Sequence, residues 1–182
     1  WAAGKWAAPR CTDQVKSGGE PASGCAGPTC PKCADAKGGA SGTDCTSGVC
    51  SSGDCAAPTC TDSVKNGDET DVDCGGLTCN KCPNKKTCAA ATDCLSGVCA
   101  SGVCASASCN DKVMNGDETD IDCGGTTCPA CAAGGKCSNT SDCKSGVCTS
   151  GLCAAASCTD KVKNADETDV DCGGATCPKC AA

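Results

Sequence analysis

The sequence predicts small disulfide-rich repeats arranged as an extended, rod-like tandem array, mostly coil with short strands and turns and little helix. One stretch, CTDSVKNGDETDVDCGGLTCNKC at residues 60–82, returns with a period of 49 residues, and such a period indicates a repeat array. The chain has 27 cysteines among 182 residues. It has two tryptophans and no phenylalanine, tyrosine or histidine, so covalent bridges must replace a large apolar core.

Aligning the copies on their cysteines divides the chain into five segments. A full repeat has cysteines at offsets 0, 14, 19, 22, 28, 34, 39 and 44. Residues 1–10 are predicted to end a preceding repeat, with Trp1 and Trp6 at cysteine positions. Their joint loss is what a bonded pair would show, although two different lost bridges would look the same. The other segments are repeat 1 (11–59), repeat 2 (60–108), repeat 3 (109–157) and a partial repeat 4 (158–182).

Each full repeat reads as two halves with four cysteine positions each. The acidic half holds the first four positions and ends in a CxxC pair, and the second half contains the SGVC motif. Four cysteines form two bridges, and the sequence leaves three pairings open. Gly39 stands at a position that holds cysteine in repeats 2 and 3, so the odd cysteine lies among Cys45, Cys50 and Cys55.

Local motifs predict turns and short strands rather than helices. SGVC predicts a short strand that leads into a glycine turn, and NGDE predicts a tight turn with positive φ at its glycine. An aspartate precedes one cysteine of each second half, and we interpret it as a local cap. These aspartates are Asp44, Asp93 and Asp142.

The acidic halves of repeats 2 to 4 are predicted calcium sites. Calcium prefers carboxylate, amide and carbonyl oxygens on a flexible loop that contains glycine. Uncompensated carboxylates at this density would repel one another. The predicted ligands are Asp62, Asn66, Asp68, Asp71 and Asp73 in repeat 2; Asp111, Asn115, Asp117, Asp120 and Asp122 in repeat 3; and Asp160, Asn164, Asp166, Asp169 and Asp171 in repeat 4.

A second interpretation of these acids needs no metal. They would then solvate a surface turn, cap short segments and pair with Lys65 or Lys112. The loop is not an EF-hand, because the terminal glutamate and the flanking helices are missing. Repeat 1 is an internal control that we expect to bind no calcium, because four of the ligand positions hold Ser17, Gly19, Ala22 and Gly24.

Other chemistries receive less support. The CxxC pairs lie in loop-rich sequence without the βαβ context of a redox motif, so structural bridges are favoured over redox chemistry or zinc binding. The chain has no histidine for a Ser-His or Cys-His nucleophile and too little apolar mass for a substrate pocket, so we expect no enzyme activity. The net charge of −7 disfavours nucleic acid as a partner.

Several features bear on location and processing. Disulfides persist in oxidising compartments, so the protein is expected to be extracellular or at the cell surface. No apolar run is long enough to span a membrane. Asn139 begins an N-glycosylation sequon, which makes glycans candidate modifications or partners. No signal peptide is visible and the first residue is Trp1, so we expect a mature form or a piece of a longer protein.

The strings NGDETDVDCGG, TCPKC and DCxSGVC resemble a cysteine-rich repeat of large secreted and surface proteins of bacteria and protists, including algae. The resemblance covers residues 11–182. It implies stalks, adhesins or extracellular fibres, and algal flagellar hairs are one such setting by analogy. The resemblance is specific for the repeat and poor for function.

The sequence therefore predicts a structural segment of an extracellular filament or surface stalk, bridged by disulfides and stiffened by calcium in repeats 2 to 4. Its predicted partners are other copies of itself or other filament and surface proteins. The alternative is an adhesin or an inhibitor-like cystine module that recognises another protein. A binding module would have one repeat that differs from the others in its exposed residues.

Overall fold

The computed structural model describes Cys11, residues 24–27 and residues 30–181. The prediction for residues 1–10 lies outside this part of the chain. Regular structure within it comprises three single 3-10 turns and three pairs of two-residue strands, and the remainder is turn and coil. The predicted class, small disulfide-rich repeats with short strands and little helix, is confirmed. No helix formed by the described residues has the length and apolar content needed to cross a bilayer.

The strands form three antiparallel hairpins, and each begins at the cysteine of an SGVC motif. In the third hairpin Cys148 lies opposite Cys153, and the two linking residues, Ser150 and Gly151, have φ of 54° and 78°. Positive φ at both positions is typical of a type I′ turn. The strands are β1 (Cys50–Ser51), β2 (Asp54–Cys55), β3 (Cys99–Ala100), β4 (Val103–Cys104), β5 (Cys148–Thr149) and β6 (Leu152–Cys153).

The 3-10 turns lie at Gly42–Asp44, Ala91–Asp93 and Thr140–Asp142, and each ends at the aspartate that the sequence predicts as a cap. Asp142 Oδ2 accepts the N–H groups of Ser138 and Asn139 at 2.8 and 2.9 Å. The interpretation as a local cap is confirmed, because an acidic third residue that accepts the N–H of the residue before the turn forms a capping box.

The disulfides settle the pairing that the sequence leaves open. In every acidic half the first cysteine bonds the third and the second bonds the fourth, so the two cysteines of a CxxC pair belong to different bridges. The second halves show the same alternation. The bridges are Cys11–Cys30, Cys25–Cys33, Cys60–Cys79, Cys74–Cys82, Cys109–Cys128, Cys123–Cys131, Cys158–Cys177 and Cys172–Cys180 in acidic halves, and Cys45–Cys55, Cys94–Cys104, Cys137–Cys148 and Cys143–Cys153 in second halves.

The odd cysteine is Cys50, which is the free cysteine of the described residues. Its counterpart in repeat 3, Cys148, bonds Cys137, and Gly39 occupies the position of Cys137 in repeat 1. In repeat 3, offsets 39 and 44 belong to two different bridges, Cys137–Cys148 and Cys143–Cys153.

The chain divides into two compact units, each with a core made mainly of cystine. One unit runs to Cys82 and includes Lys86–Asp93, and the other comprises Pro83–Lys85 and continues from Cys94. In each unit the last cysteine of an acidic half packs with the second half that follows, so the two halves share one core. Two such clusters of buried residues are Ala26, Cys33, Cys45 and Cys55 in the first unit, and Cys131, Cys137, Cys143 and Cys153 in the second.

Each second half also contacts the acidic half of the next repeat. In the first unit Gly48 faces Val64, and a Cβ at Gly48 would lie 3.1 Å from Val64 Cγ1. In the second unit the corresponding contacts are Gly97 with Val113 and Gly146 with Val162, both at 3.2 Å. Glycine in SGVC thus permits a close approach between successive halves, in addition to the turn that the motif predicts.

Candidate functional site

One aspartate of each acidic loop, the second residue after the loop asparagine, accepts hydrogen bonds from the turn that precedes the CxxC pair. Asp117 accepts the N–H groups of Thr126 and Thr127 at 2.7 and 3.2 Å, and both threonine hydroxyls also donate to it. These donors, the Thr126 hydroxyl foremost, hold the pKa of Asp117 well below its ordinary value. Asp68 and Asp166 make the corresponding contacts in repeats 2 and 4.

The first aspartate of each loop caps the chain on both of its sides. Asp62 Oδ2 accepts the Thr59 N–H at 2.8 Å, and Asp62 Oδ1 accepts the Val64 N–H at 2.9 Å. An aspartate that bonds the N–H two residues later forms an Asx turn, which stabilises the start of the loop. Asp111 and Asp160 repeat both contacts.

The last aspartate of each loop connects the end of the loop to its beginning. Asp73 accepts the Ser63 N–H at 2.9 Å across ten residues of sequence. Asp122 accepts the Lys112 N–H and Asp171 accepts the Lys161 N–H, both also at 2.9 Å. These aspartates therefore fix the closure of the loop through backbone N–H groups, and within the described part of the chain no ion pair joins them to Lys65 or Lys112.

In repeats 2 and 3 the aspartate that follows the glutamate of the NGDE string by two residues, Asp71 or Asp120, reaches into the second half of the same repeat. Asp71 accepts the Thr87 N–H at 2.6 Å and the Lys86 ammonium at 3.2 Å. The Thr87 N–H is the largest favourable influence on this carboxylate, and with Val72 and Lys86 it lowers the pKa of Asp71 from 3.8 to about 2. Asp120 accepts the Lys136 N–H at 2.9 Å, and Asp169 accepts the N–H of its neighbour Val170 at 2.8 Å.

The asparagine of each loop connects successive repeats. Asn66 Nδ2 donates to the carbonyl oxygen of Ser47, in the preceding second half, at 2.9 Å and to Asp62 Oδ2 at 3.1 Å. Asn115 bonds Ser96 and Asn164 bonds Ser145 at the same distance of 2.9 Å. The Oδ1 atoms of Asn66, Asn115 and Asn164 are buried and have no hydrogen-bond donor.

The structure thus gives every predicted metal ligand a hydrogen-bond contact within the protein. Among the described residues, three or more cysteine or carboxylate ligand atoms lie within 4.8 Å of one another in groups of cysteines with at most one glutamate. These cysteines are disulfide-bonded, so they offer no thiolate to zinc. Calcium binding by repeats 2 to 4 through the predicted aspartates remains a prediction.

Two sets of acidic residues are more buried than the sequence analysis predicts: the glutamates of the acidic loops and the aspartates of the 3-10 turns in repeats 2 and 3. Glu69 and Glu167 are each 8% exposed, and Glu118 is half-buried at the same position. The sequence could have indicated these glutamates, because all four copies of the acidic half, including Glu20 in repeat 1, have a glutamate at this position. Asp93 and Asp142 are buried as well, and their Oδ1 atoms accept the N–H groups of Gly76 and Gly125 in the acidic half.

Asn139, the predicted glycosylation residue, is exposed and immediately precedes the 3-10 turn Thr140–Asp142. Its backbone N–H donates to Asp142 Oδ2 at 2.9 Å, and its backbone carbonyl accepts the Asp142 N–H at 3.2 Å. An attached glycan at this exposed side chain remains a prediction.

Comparison with known proteins adds no functional assignment. The chain matches no protein-family model, no curated protein and no solved structure.

Proposed function

We propose that the chain is a structural segment of an extracellular filament or surface stalk. Its abundant disulfides fit an oxidising environment outside the cytosol. Its described hydrogen bonds serve mainly to fix one short loop against the next. A structural role needs this kind of local, repeated reinforcement and no substrate pocket.

The observation that carries the proposal is the contact between successive repeats. The asparagine of an acidic loop bonds the SGVC serine carbonyl of the preceding second half in three places, each at 2.9 Å. A valine packs on the following glycine at each of these places. An array that transmits force from repeat to repeat would require such a junction at every step, because a freely hinged junction would bend instead.

Labelling the protein where it is made tests the proposal. Gold-labelled antibodies raised against the folded segment are applied to unpermeabilised cells of the source organism and viewed by electron microscopy. We expect label along fibres or stalks, and its loss from those structures after reduction of disulfides. Recovery of the antigen as a diffusing protein in a defined complex with another protein would contradict the structural role.

Repeat 2 supports the alternative role, an adhesin or inhibitor-like module. It exposes two leucines that the other repeats lack: Leu77 is 98% exposed and Leu95 is 67% exposed. Thr126 and Ala175 occupy the first position in repeats 3 and 4, and Thr46 and Lys144 occupy the second in repeats 1 and 3. Repeats 3 and 4 also expose apolar side chains, Ile121, Leu152 and Val170 among them, so the alternative depends on the two leucine positions alone.

Substitution separates the two roles. Leu77→Thr and Leu95→Lys introduce residues that the neighbouring repeats already use at these positions. If the chain is a structural segment, the doubly substituted protein should enter fibres as the parent does. Loss of a protein complex with this variant, while fibres are absent from both, would favour the adhesin.

A further inference from the structure

The orientation of the loop asparagine leaves a buried oxygen without a donor. Both N–H bonds of the Asn66 amide are directed at acceptors, the Ser47 carbonyl and Asp62 Oδ2. Exchanging the amide nitrogen and oxygen would place an acceptor against two acceptors, so the assignment is fixed by chemistry. Asn66 Oδ1 consequently has no donor, and the same holds for Asn115 Oδ1 and Asn164 Oδ1. A buried unpaired acceptor is unfavourable, so its recurrence in three repeats calls for an occupant.

The neighbouring glutamate provides a second oxygen of this kind. Glu69 Oε2 accepts the Asn66 N–H at 3.2 Å, whereas Oε1 lies 3.4 Å from Cys79 Sγ. Cys79 is bonded to Cys60, so its sulfur carries no proton to donate. Glu118 Oε1 and Glu167 Oε1 lie 3.3 Å from the equivalent disulfide sulfurs.

The donors that these glutamates have are backbone N–H groups, and none of them is a cationic side chain. Among the described residues, no lysine or arginine forms an ion pair with Glu69, Glu118 or Glu167. A buried carboxylate is costly unless a positive charge accompanies it. A water molecule would donate hydrogen bonds to the two oxygens, but it would leave the charge uncompensated.

The two oxygens belong to residues that line one small cavity. In repeat 2 this cavity has a volume of about 60 Å³, and its lining includes Asn66, Asp68, Glu69 and Thr59. Repeat 3 has a cavity at the same place, of about 220 Å³, lined by Asn115, Asp117, Glu118 and Ser108. The volume suffices for an ion with some of its water.

We propose that each of these cavities binds one calcium ion through the asparagine Oδ1 and the glutamate Oε1. The two cavities give the sites Asn66 with Glu69 and Asn115 with Glu118, and Asn164 with Glu167 is the equivalent pair in repeat 4. Amide and carboxylate oxygens are hard ligands that suit calcium, and the adjacent aspartate adds negative potential. This donor set keeps the three asparagines that the sequence predicts as ligands and replaces the predicted aspartates, which are engaged by N–H groups, with the glutamates. The inference does not depend on the proposed structural role.

The small number of protein ligands sets the expected affinity. Water must complete the coordination of an ion that has two committed protein oxygens. We therefore expect dissociation constants of about 10⁻⁴–10⁻³ M, the range of extracellular calcium modules. Such affinities match a site that fills outside the cell and is empty in the cytosol.

A titration of the unmodified protein tests the site directly. ¹⁵N-labelled protein is titrated with CaCl₂ to about 10 mM, above the expected range, with choline chloride as the ionic-strength control. We expect saturable shifts at the side-chain amides of Asn66, Asn115 and Asn164 and at the backbone N–H groups beside the three glutamates. Absence of saturable shifts, as for water-filled cavities, would overturn the proposal. So would shifts centred on Ser63 and Asp73 instead.

A single substitution provides a control within the same molecule. Glu69→Gln keeps the shape of the side chain and removes its charge, so calcium affinity at Asn66 should fall at least about tenfold, because affinity follows ligand charge. Asn115 and Asn164 should keep the parental affinity and report that the chain remains folded. Undiminished calcium binding at Asn66 in this variant would refute the glutamate as ligand.

Manganese binding to the unmodified protein provides a second test, which does not depend on the folding of Glu69→Gln. Mn²⁺ replaces Ca²⁺ at oxygen sites and broadens nearby resonances. Added Mn²⁺ should first broaden the signals of Asn66, Asn115 and Asn164, and excess Ca²⁺ should restore them. Broadening spread evenly over exposed aspartates would contradict a site in the cavities.

Discussion

Aspartates of the acidic loops stabilise the fold as acceptors for backbone N–H groups. Asp62, Asp68 and Asp73 each bond at least one N–H of their own half, and Asp71 bonds Thr87 in the second half. A chain with so little helix and sheet leaves many N–H groups without backbone partners. Carboxylates are effective substitutes, because charge-assisted hydrogen bonds are stronger than neutral ones.

The contribution of Asp71 to the stability of the fold depends on pH. Its pKa falls from 3.8 in the unfolded chain to about 2 in the fold, so folding favours the ionised form. The stability that it contributes is complete above about pH 4 and is lost as the pH falls through 2. In ¹³C NMR we expect the Asp71 carboxyl to titrate near 2, with the Thr87 N–H signal following the same curve.

Lys86→Met serves as the control for this titration. Because the Thr87 N–H exceeds Lys86 as a cause of the shift, the pKa of Asp71 should remain depressed in the variant. Titration of Asp71 at its ordinary value in the parent protein would show that the contact with Thr87 does not form.

Ala165 is a strained residue in the turn that glycine forms in the other loops. Its φ is 50°, and Gly67 and Gly116 at the same position have φ of 57° and 61°. A Cβ at Gly116 would meet Ala107 Cβ at 3.5 Å, an ordinary contact, so the backbone conformation alone decides the cost. Ala165→Gly should stabilise its loop by about 1 kcal/mol, and Gly116→Ala should destabilise its loop by a similar amount.

Hydrogen exchange of two equivalent amides measures both effects. The Glu167 N–H bonds the Asn164 carbonyl and the Glu118 N–H bonds the Asn115 carbonyl, so each reports the opening of its own turn. We expect slower exchange at Glu167 in Ala165→Gly and faster exchange at Glu118 in Gly116→Ala. Equal exchange in parent and variants would mean that positive φ is not costly here.

At the scale of the secondary-structure elements, each two-residue hairpin depends on its disulfides. Strands of this length contribute too few hydrogen bonds to be stable alone. In repeat 3 the bridges Cys137–Cys148 and Cys143–Cys153 hold one strand each, both at the open end of the β5–β6 hairpin. The β1–β2 hairpin has the second of these bridges, Cys45–Cys55, and lacks the first because Gly39 replaces a cysteine.

Gly39→Cys should restore the absent bridge by bonding Cys50. A loop of this size predicts about 2–3 kcal/mol of stabilisation. The gain should be smaller than this, because a Cβ at Gly39 would lie 2.9 and 3.0 Å from the sulfurs of Cys45 and Cys55, which must move. The parent protein should show one reactive thiol after denaturation, and the variant should show none.

Two results would contradict this prediction. Two reactive thiols in the variant would show that Cys50 and the new cysteine do not pair. Mass mapping that finds the new cysteine bonded to Cys45 or Cys55 would show that the alternation of bridges is not retained in repeat 1.

At the scale of the whole molecule, contacts between successive halves determine how the repeats combine. In the second unit Asn115 bonds Ser96 across this junction while Val113 packs on Gly97. Asn115→Ala would leave the Ser96 carbonyl and Asp111 Oδ2 without this donor, which should weaken the junction by about 1–3 kcal/mol.

¹⁵N relaxation detects a weakened junction. The β3–β4 hairpin and residues 109–131 should reorient together in the parent protein and with different correlation times in Asn115→Ala. Asn110→Ala is the matched control, because Asn110 lies in the same loop and contacts Ser108 rather than the preceding half. If Asn110→Ala changes the relaxation as much as Asn115→Ala does, the junction does not depend on the amide.

The sequence by itself determined the repeats and their chemistry. The 49-residue period, the scarcity of large apolar residues and the cysteine count specify a bridged, loop-rich chain, and SGVC and NGDE specify its turns. These properties depend on composition or on residues that are close in sequence, so the sequence alone is enough to predict them. Ligand types in the acidic loops were equally visible, which is why the sequence suggests calcium.

Tertiary structure decided what each cysteine and acid contacts. The pairing of Cys137 with Cys148, the free Cys50 and the burial of Glu69 depend on which residues approach one another in space. Four cysteines are chemically identical, and only geometry selects one pairing from three. An aspartate can accept an N–H or bind a cation, and only the position of the nearest N–H groups shows that Asp62 and Asp117 are engaged by the backbone.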